Sequence, residues 1–384
     1  MRTTGDQHLV KKINKSIILQ LIRRNSPLSR AKLSEISGLN KGTVSSLVNE
    51  LLSEQLAYET GPGESSGGRR PVMVVFNQSA GFAVGIDLRV HEAVAVLTDL
   101  LGVVVLQRQI PLGAKDPESV IGVLTAMISG LIADAPSSPL GIVGIGIGVP
   151  GLVDAEGGVL FAPNLGWRDV PLGAALVSAF GLPVTIDNEA NAGALGELEF
   201  GAGQQLSNLV YVSVGTGIGT GMIMGGDLFK GASGYSGETG HISIQVDGKP
   251  CTCGNRGCWE LYASEQALAE EAGISHFAEA ARQAEAGAER AVHALEQIGR
   301  YLGVGIANII NVMNPQSIII GNEIIHAAPW LEQAVRTSVE ERALSFHRSG
   351  LSLEFARLGD RSTVLGAAFS AISGFFSKDR VQIG

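Results

Sequence analysis

Phe82-Ala83-Val84-Gly85-Ile86-Asp87, Glu92-Ala93-Val94-Ala95-Val96-Leu97-Thr98-Asp99 and Val103-Val104-Val105-Leu106-Gln107-Arg108 are three apolar runs parted by short turns. Their lengths and β-branched content read as strands, and their close succession as a meander. A helix is expected over residues 117–134, then a buried strand Ile142-Val143-Gly144-Ile145-Gly146-Ile147. The same order returns downstream. Asn208-Leu209-Val210-Tyr211-Val212-Ser213-Val214 and Gly221-Met222-Ile223-Met224 read as strands, followed by a helix over about residues 288–313 and the strand Ser317-Ile318-Ile319-Ile320. The organisation is duplicated: an α/β body of two lobes, with a cleft between them in which a ligand would sit.

Length and composition agree with that plan. A chain of 384 residues exceeds one comfortable core, and 45% apolar against 17% charged residues allows a large one. There is no run of about 18 apolar residues, so no membrane span is expected. The polar start lacks an apolar signal region, and the cysteines are odd in number; both point to the reducing cytoplasm. The net charge of −9 hides an asymmetry. Residues 1–78 carry 11 Lys and Arg against 6 Asp and Glu, a net of +5, which leaves −14 for the rest. A basic head on an acidic body suggests that the head meets a polyanion.

The head has its own logic. Residues 14–24 show helical apolar spacing, and Ser26-Pro27-Leu28 breaks the helix. Ser29 then caps a second helix ending at Gly38, and Asn40 caps a third. In the third, Val44, Leu47, Val48, Leu51 and Leu52 form the apolar face, while Lys41, Thr43, Ser45, Ser46 and Asn49 face away. Short polar side chains on one helix, next to a tight turn, fit a recognition helix in a DNA major groove. Leu56-Ala57-Tyr58-Glu59-Thr60 and the stretch from Arg69 to Phe76 read as a two-stranded wing, so residues 1–78 are expected to be a winged helix-turn-helix. Arg69 and Arg70, within Gly67-Gly68-Arg69-Arg70-Pro71, would suit a minor groove.

All three cysteines lie in one segment. His241, Cys251, Cys253 and Cys258 are spaced H-x9-C-x-C-x4-C, a four-ligand set of the kind a closed structural zinc site uses. Two carboxylates, Glu238 and Glu260, bracket it.

Six ordered motifs now carry a resemblance. They are Gly148-Val149-Pro150-Gly151, Pro163-Asn164-Leu165-Gly166-Trp167, Asp187-Asn188-Glu189-Ala190-Asn191, Gly215-Thr216-Gly217-Ile218-Gly219-Thr220-Gly221, Gly237-Glu238-Thr239-Gly240-His241 and the cysteine cluster. Over residues 80–372 the body resembles the ROK family of sugar kinases and sugar-responsive repressors, which has the actin-like, ribonuclease H-like two-lobed fold. With its head, the chain is most similar to the xylose-repressor group. The resemblance implies a sugar pocket lined by Asn164, Asn188, Glu189, Glu238, His241 and Glu260. It also implies that His241 gives one ring nitrogen to zinc and offers the other to the sugar.

The resemblance also sets a choice between kinase and sensor. Kinases of the family carry Asp-x-Gly-Gly-Thr in the first phosphate loop, where this chain reads Asp87-Leu88-Arg89-Val90-His91. Glycines there let backbone approach a phosphate; Arg89 and Val90 add bulk. Glu189 stands where the kinases have aspartate, one methylene longer, and Ile320-Gly321-Asn322-Glu323 lacks their glycine pair. The expectation is a repressor with a vestigial base in Glu189 and no kinase activity, a body over residues 79–384, structural zinc, a palindromic operator and a homodimer or tetramer. A bifunctional or genuine ATP-dependent sugar kinase is the alternative.

Overall fold

The computed structural model describes residues 7–62 and 71–377. The first three helices are α1 (Gln7–Asn25), α2 (Arg30–Ser37) and α3 (Lys41–Ser53), with β1 (Leu28–Ser29) between α1 and α2. The caps are those read in the sequence. Ser29 accepts from Lys32 N, Gly38 closes α2 at φ 71°, and Asn40 accepts from Thr43 N. Strands β2 (Ala57–Pro62) and β3 (Val72–Phe76) form an antiparallel hairpin, and β1 adds a third strand beside β3. Helix α1 starts seven residues before the expected 14, because residues 7–13, with Leu9, Val10 and Ile13 among them, continue the same helix. Arg69 and Arg70 lie outside the described residues.

Lobe 1 begins with β4 (Phe82–Leu88), β5 (Glu92–Asp99), β6 (Val104–Pro111), α4 (Pro117–Ala133) and β7 (Ile142–Val149). A small sheet of β8 (Leu152–Val153), β9 (Val159–Ala162) and β10 (Trp167–Val170) leads to α5 (Leu172–Phe180), β11 (Val184–Asn188) and α6 (Glu189–Phe200). Lobe 2 has β12 (Leu209–Val214), β13 (Ile218–Met224), β14 (Asp227–Leu228), four helices α7 (Glu260–Ala263), α8 (Glu265–Ala272), α9 (Phe277–Glu285) and α10 (Glu289–Met313), then β15 (Ser317–Gly321), α11 (Ala328–Arg342), α12 (Ser345–Arg348) and β16 (Ser352–Phe355). The last helix, α13 (Ser362–Ser377), returns to lobe 1.

The duplication is visible in the topology. One five-stranded sheet runs β6-β5-β4-β7-β11 and the other β14-β13-β12-β15-β16, the same order twice. In each, the first three strands are the antiparallel meander and the last two join in parallel. Strands β4 and β12 are buried on both faces, which is why they read as continuous apolar runs.

Between the sheets lie α13, packed on the lobe 1 sheet, and α6, packed on that of lobe 2. The two helices meet so closely that a Cβ on Gly366 would stand 1.7 Å from the Ala192 carbonyl oxygen, so only glycine fits there. The core of the head runs on into lobe 1. Ile18, Ile22, Leu47 and Phe76 share one cluster with Leu100, Val143 and Ile372, and Phe375 and Phe376 at the end of α13 pack against it. Among the described residues no helix is long and apolar enough to cross a membrane.

Candidate ligand cleft and metal centre

The carboxyl ends of β4, β11, β12 and β15 open onto one interlobe cavity of about 860 Å³, the usual place for a ligand in such sheets. Asn164, Asn188, Glu189, Glu238, His241 and Glu260 all line it, so the structure brings together every residue expected there from the sequence. The first three come from lobe 1 and the others from lobe 2.

Their environments differ. Asn188 is largely committed: its Oδ1 caps α6 through Ala190 N (2.8 Å), and its Nδ2 donates to the Gly151 carbonyl (3.1 Å). Its main work is to hold the first turn of α6, which carries Glu189, against the Gly151 loop. Asn164 is exposed at the rim, on a loop anchored where Trp167 Nε1 donates to the Lys115 carbonyl at 2.6 Å. Glu189 is partly covered as a residue, yet its Oε2 is shut from solvent and has no hydrogen-bond partner among the described residues. Burial, with the carboxylates of Asp87 and Glu238 nearby, pushes its pKa up to about 8. At neutral pH it is a neutral acid, able to donate a hydrogen bond to a ligand oxygen.

The glycine-rich turn before β13 also serves the cavity. A Cβ on Gly217 would stand 2.8 Å from Glu260 Oε2, so glycine there admits the carboxylate. The loop has a packing reason for its composition. Asn322 and Glu323 lie against Gly215, and Asn322 Nδ2 donates to Ser213 Oγ at 3.0 Å.

His241, Cys251, Cys253 and Cys258 converge as the spacing predicted: their ligand atoms all lie within 4.8 Å of one another. Cys251 Sγ is 3.7 Å from His241 Nδ1, and Cys253 Sγ is 3.7 Å from Cys258 Sγ. Those are close to the edges of a tetrahedron with zinc bond lengths, about 3.6 and 3.8 Å. Burial pushes the Cys258 thiol up to about 12, with Cys253 and Cys251 adding to the rise, so the cluster favours a cation to ionise it. The donor set fits zinc. Glu260 Oε1 lies 3.3 Å from His241 Nδ1 and 3.4 Å from Cys251 Sγ, which ties the pocket carboxylate to the cluster.

Sequence reasoning missed the salt-bridged centre of the cleft. Arg89, on the β4–β5 turn, donates to Asp87 Oδ2 (2.7 Å), Glu92 Oε1 (3.0 Å), Glu323 Oε1 (3.1 Å) and the Asp360 carbonyl (2.9 Å). Burial works against the cation, but Asp87, Glu323 and Glu92 together hold its pKa above the ordinary arginine value. Asp87 is raised all the same, because burial and the carboxylates of Glu323 and Glu92 outweigh the guanidinium. Nearby, His91 and His276 face each other edge to face at 6.3 Å, with His276 Nδ1 3.3 Å from Glu265 Oε1.

On the head, Lys41, Ser46 and Asn49 are exposed and Thr43 and Ser45 half-buried along α3. Arg30, not singled out in the sequence, braces that face: its Nη2 donates to Asn49 Oδ1 and Glu59 Oε1, both at 2.8 Å, and its Nη1 to the Ser45 carbonyl at 3.2 Å.

Comparison with known proteins bears on the body and the head alike. Residues 83–373 match the ROK family. The chain belongs to the ROK family. Among ROK relatives, the xylose repressor of Bacillus subtilis (strain 168) is 45% identical over 376 residues, covering 97% of this chain and 98% of that one. A crystal structure of a ROK family transcriptional regulator, a homologue of the Escherichia coli MLC protein, matches with a TM-score of 0.83 at 31% identity, covering 96% of this chain and 98% of the other. A ROK family glucokinase from Streptomyces griseus, in complex with glucose and AMPPNP, matches with a TM-score of 0.69 at 31% identity; it covers 77% of this chain and all of its own. The ROK body is thus shared with regulators and kinases.

Proposed function

We propose that the chain is a sugar-responsive transcriptional repressor of carbohydrate-utilisation genes, released from its operator by a small sugar, with D-xylose the first candidate and glucose the second. The observation that carries this reading is the end-to-end similarity to the xylose repressor, which takes in the head as well as the body. Residues 1–78 act as a winged helix-turn-helix, with Lys41, Thr43, Ser45, Ser46 and Asn49 facing the major groove and Arg69 and Arg70 the minor groove. Residues 79–384 bind the sugar. A dimer or tetramer would present paired heads to a palindromic operator.

In the body, Asn164 and Glu189 would hold the sugar from lobe 1 and Glu238, His241 and Glu260 from lobe 2, with Asn188 fixing the start of α6. Sugar that bridges both lobes favours one lobe arrangement, and it shifts the equilibrium only by its preference for that state. His241, Cys251, Cys253 and Cys258 would hold one zinc ion, whose part is structural. It fixes the loop over residues 251–258, while His241 Nε2 turns towards Glu238 Oε2, 3.9 Å away.

The glucokinase similarity favours a second reading, an ATP-dependent sugar kinase. Two observations oppose it. Arg89 is held by carboxylates, and the surroundings of the first phosphate loop carry an excess of acid. The deciding experiment measures binding to upstream DNA by fluorescence anisotropy at two salt concentrations, with and without D-xylose and glucose. Tight, salt-sensitive binding released by one sugar is expected. Absence of DNA binding together with sugar-dependent ATP turnover would replace this reading with the kinase.

A further inference from the structure

Arg89 joins the two lobes and the turn that opens α13. Two of its partners, Asp87 and Glu92, stand on its own hairpin in lobe 1. Glu323 follows β15 in lobe 2, and the Asp360 carbonyl belongs to the turn that opens α13, where the chain crosses back to lobe 1. A second ion pair crosses the lobes, Lys230 Nζ to Asp187 Oδ2 at 2.6 Å, but the Lys230 side chain is 50% exposed against 16% for Arg89. Exposed pairs are screened and contribute little, whereas a covered, multiply bonded guanidinium is bound far more firmly.

We propose that Arg89 is a reversible interlobe tether: it fills the mouth of the first loop with an internal cation and sets the closure equilibrium on which sugar affinity depends. Reversibility follows from the partner set. When the lobes part, Arg89 gives up Glu323 and the Asp360 carbonyl but keeps Asp87 and Glu92 on its own hairpin, so no buried charge is stranded. Opening therefore costs about one partly buried pair, a scale comparable with what a small ligand's preference for the closed state supplies. Closure without sugar holds Glu189 opposite Glu238 and Glu260, which pre-forms the pocket and raises affinity.

The proposal rests on the sugar-sensor reading only in its choice of D-xylose as probe. The full-length protein would be compared with Arg89→Gln, Glu323→Gln, the double variant and Lys230→Gln, by small-angle scattering without sugar, amide exchange at residues 321–323 and calorimetric titration with D-xylose. Arg89→Gln and Glu323→Gln should each expand the sugar-free particle, speed that exchange and weaken D-xylose binding roughly tenfold, within the usual range of coupling. The double variant should be no worse than Arg89→Gln alone, since both break one contact, and Lys230→Gln should change each readout by less than twofold. Unchanged scattering and exchange in Arg89→Gln, or additive losses in the double variant, would overturn the tether. Thermal unfolding of Arg89→Gln separates tether loss from misfolding: its transition should stay cooperative, and Arg89→Lys, which keeps the charge, should scatter as a particle more compact than Arg89→Gln. If wild type fails to bind D-xylose, the choice of ligand falls, while scattering and exchange still decide the tether.

Discussion

His241 Nδ1 lies 3.7 Å from Cys251 Sγ, while Nε2 of the same ring lies 3.9 Å from Glu238 Oε2, so one imidazole faces both the thiol cluster and the ligand cavity. Thiol cluster and pocket are therefore mechanically joined. A Cys253→Ser variant removes the exposed thiol of the set and should lower zinc content from about one per chain to near zero by elemental analysis. Sugar affinity should fall about tenfold or more, the usual scale for losing a support of ligating residues. DNA binding without sugar should persist. Full sugar affinity in the metal-free variant would show that the loop needs no zinc to position Glu260.

Glu189 gives a pH dependence whose sign can be fixed. Its folded-state pKa is raised from 4.5 to about 8 by burial. Its contribution to stability is fully present below the unfolded value of 4.5 and is lost as pH rises through about 8. Wild type should thus lose stability across that window relative to Glu189→Gln, which stays neutral throughout. Allowing for relaxation and water entry, the gap at pH 9 should reach about 1–2 kcal/mol. Parallel stability–pH curves for the two proteins by chemical denaturation would remove the case for a protonated Glu189.

Local chemistry was legible in the sequence, and cross-lobe chemistry was not. The caps at Ser29, Gly38 and Asn40 and the twice-repeated sheet follow from residue types at short range, as does the convergence of His241 with the cysteines. Strands β8, β9 and β10 were missed because runs of two to four residues are too short to show a period. The Arg89–Glu323 contact spans 234 positions, and no local pattern announces it. Nor does composition reveal that the Asn188 side chain is already bonded to Ala190 and Gly151, although an asparagine directly before a helix is a cap signal.

Two basic residues of the head should act differently on DNA. Lys41 is exposed at the start of α3 and has no hydrogen bond or ion pair from its side chain among the described residues. Lys41→Ala should weaken all sequences alike and lower the salt slope by about 1. Arg30 instead braces Asn49 and the Ser45 carbonyl. Arg30→Ala should reduce the preference for operator over random DNA, because the side of α3 proposed to meet the bases loses its support. Competition titrations in two salt concentrations distinguish these outcomes; equal losses on operator and random DNA for Arg30→Ala would make it a simple phosphate contact.

Helix α13 runs from the cavity to the head. At its start, Ser362 Oγ donates to Glu197 (2.7 Å) and Thr363 Oγ1 to the main-chain oxygen of Glu189 (3.1 Å). At its end, the Phe376 ring lies 6.3 Å from that of Phe76 and 5.2 Å from the Arg23 guanidinium. Its 16 residues span about 24 Å of helix, so a sugar-induced movement at the cavity would have a direct path to the head. Phe376→Ala removes the ring at the far end and should destabilise the head's attachment by about 1–3 kcal/mol. Sugar affinity should stay within about twofold of wild type, since the ring is remote from the cavity, whereas release from DNA by sugar should weaken several-fold. If sugar still releases Phe376→Ala from DNA as it does wild type, the signal travels by another path.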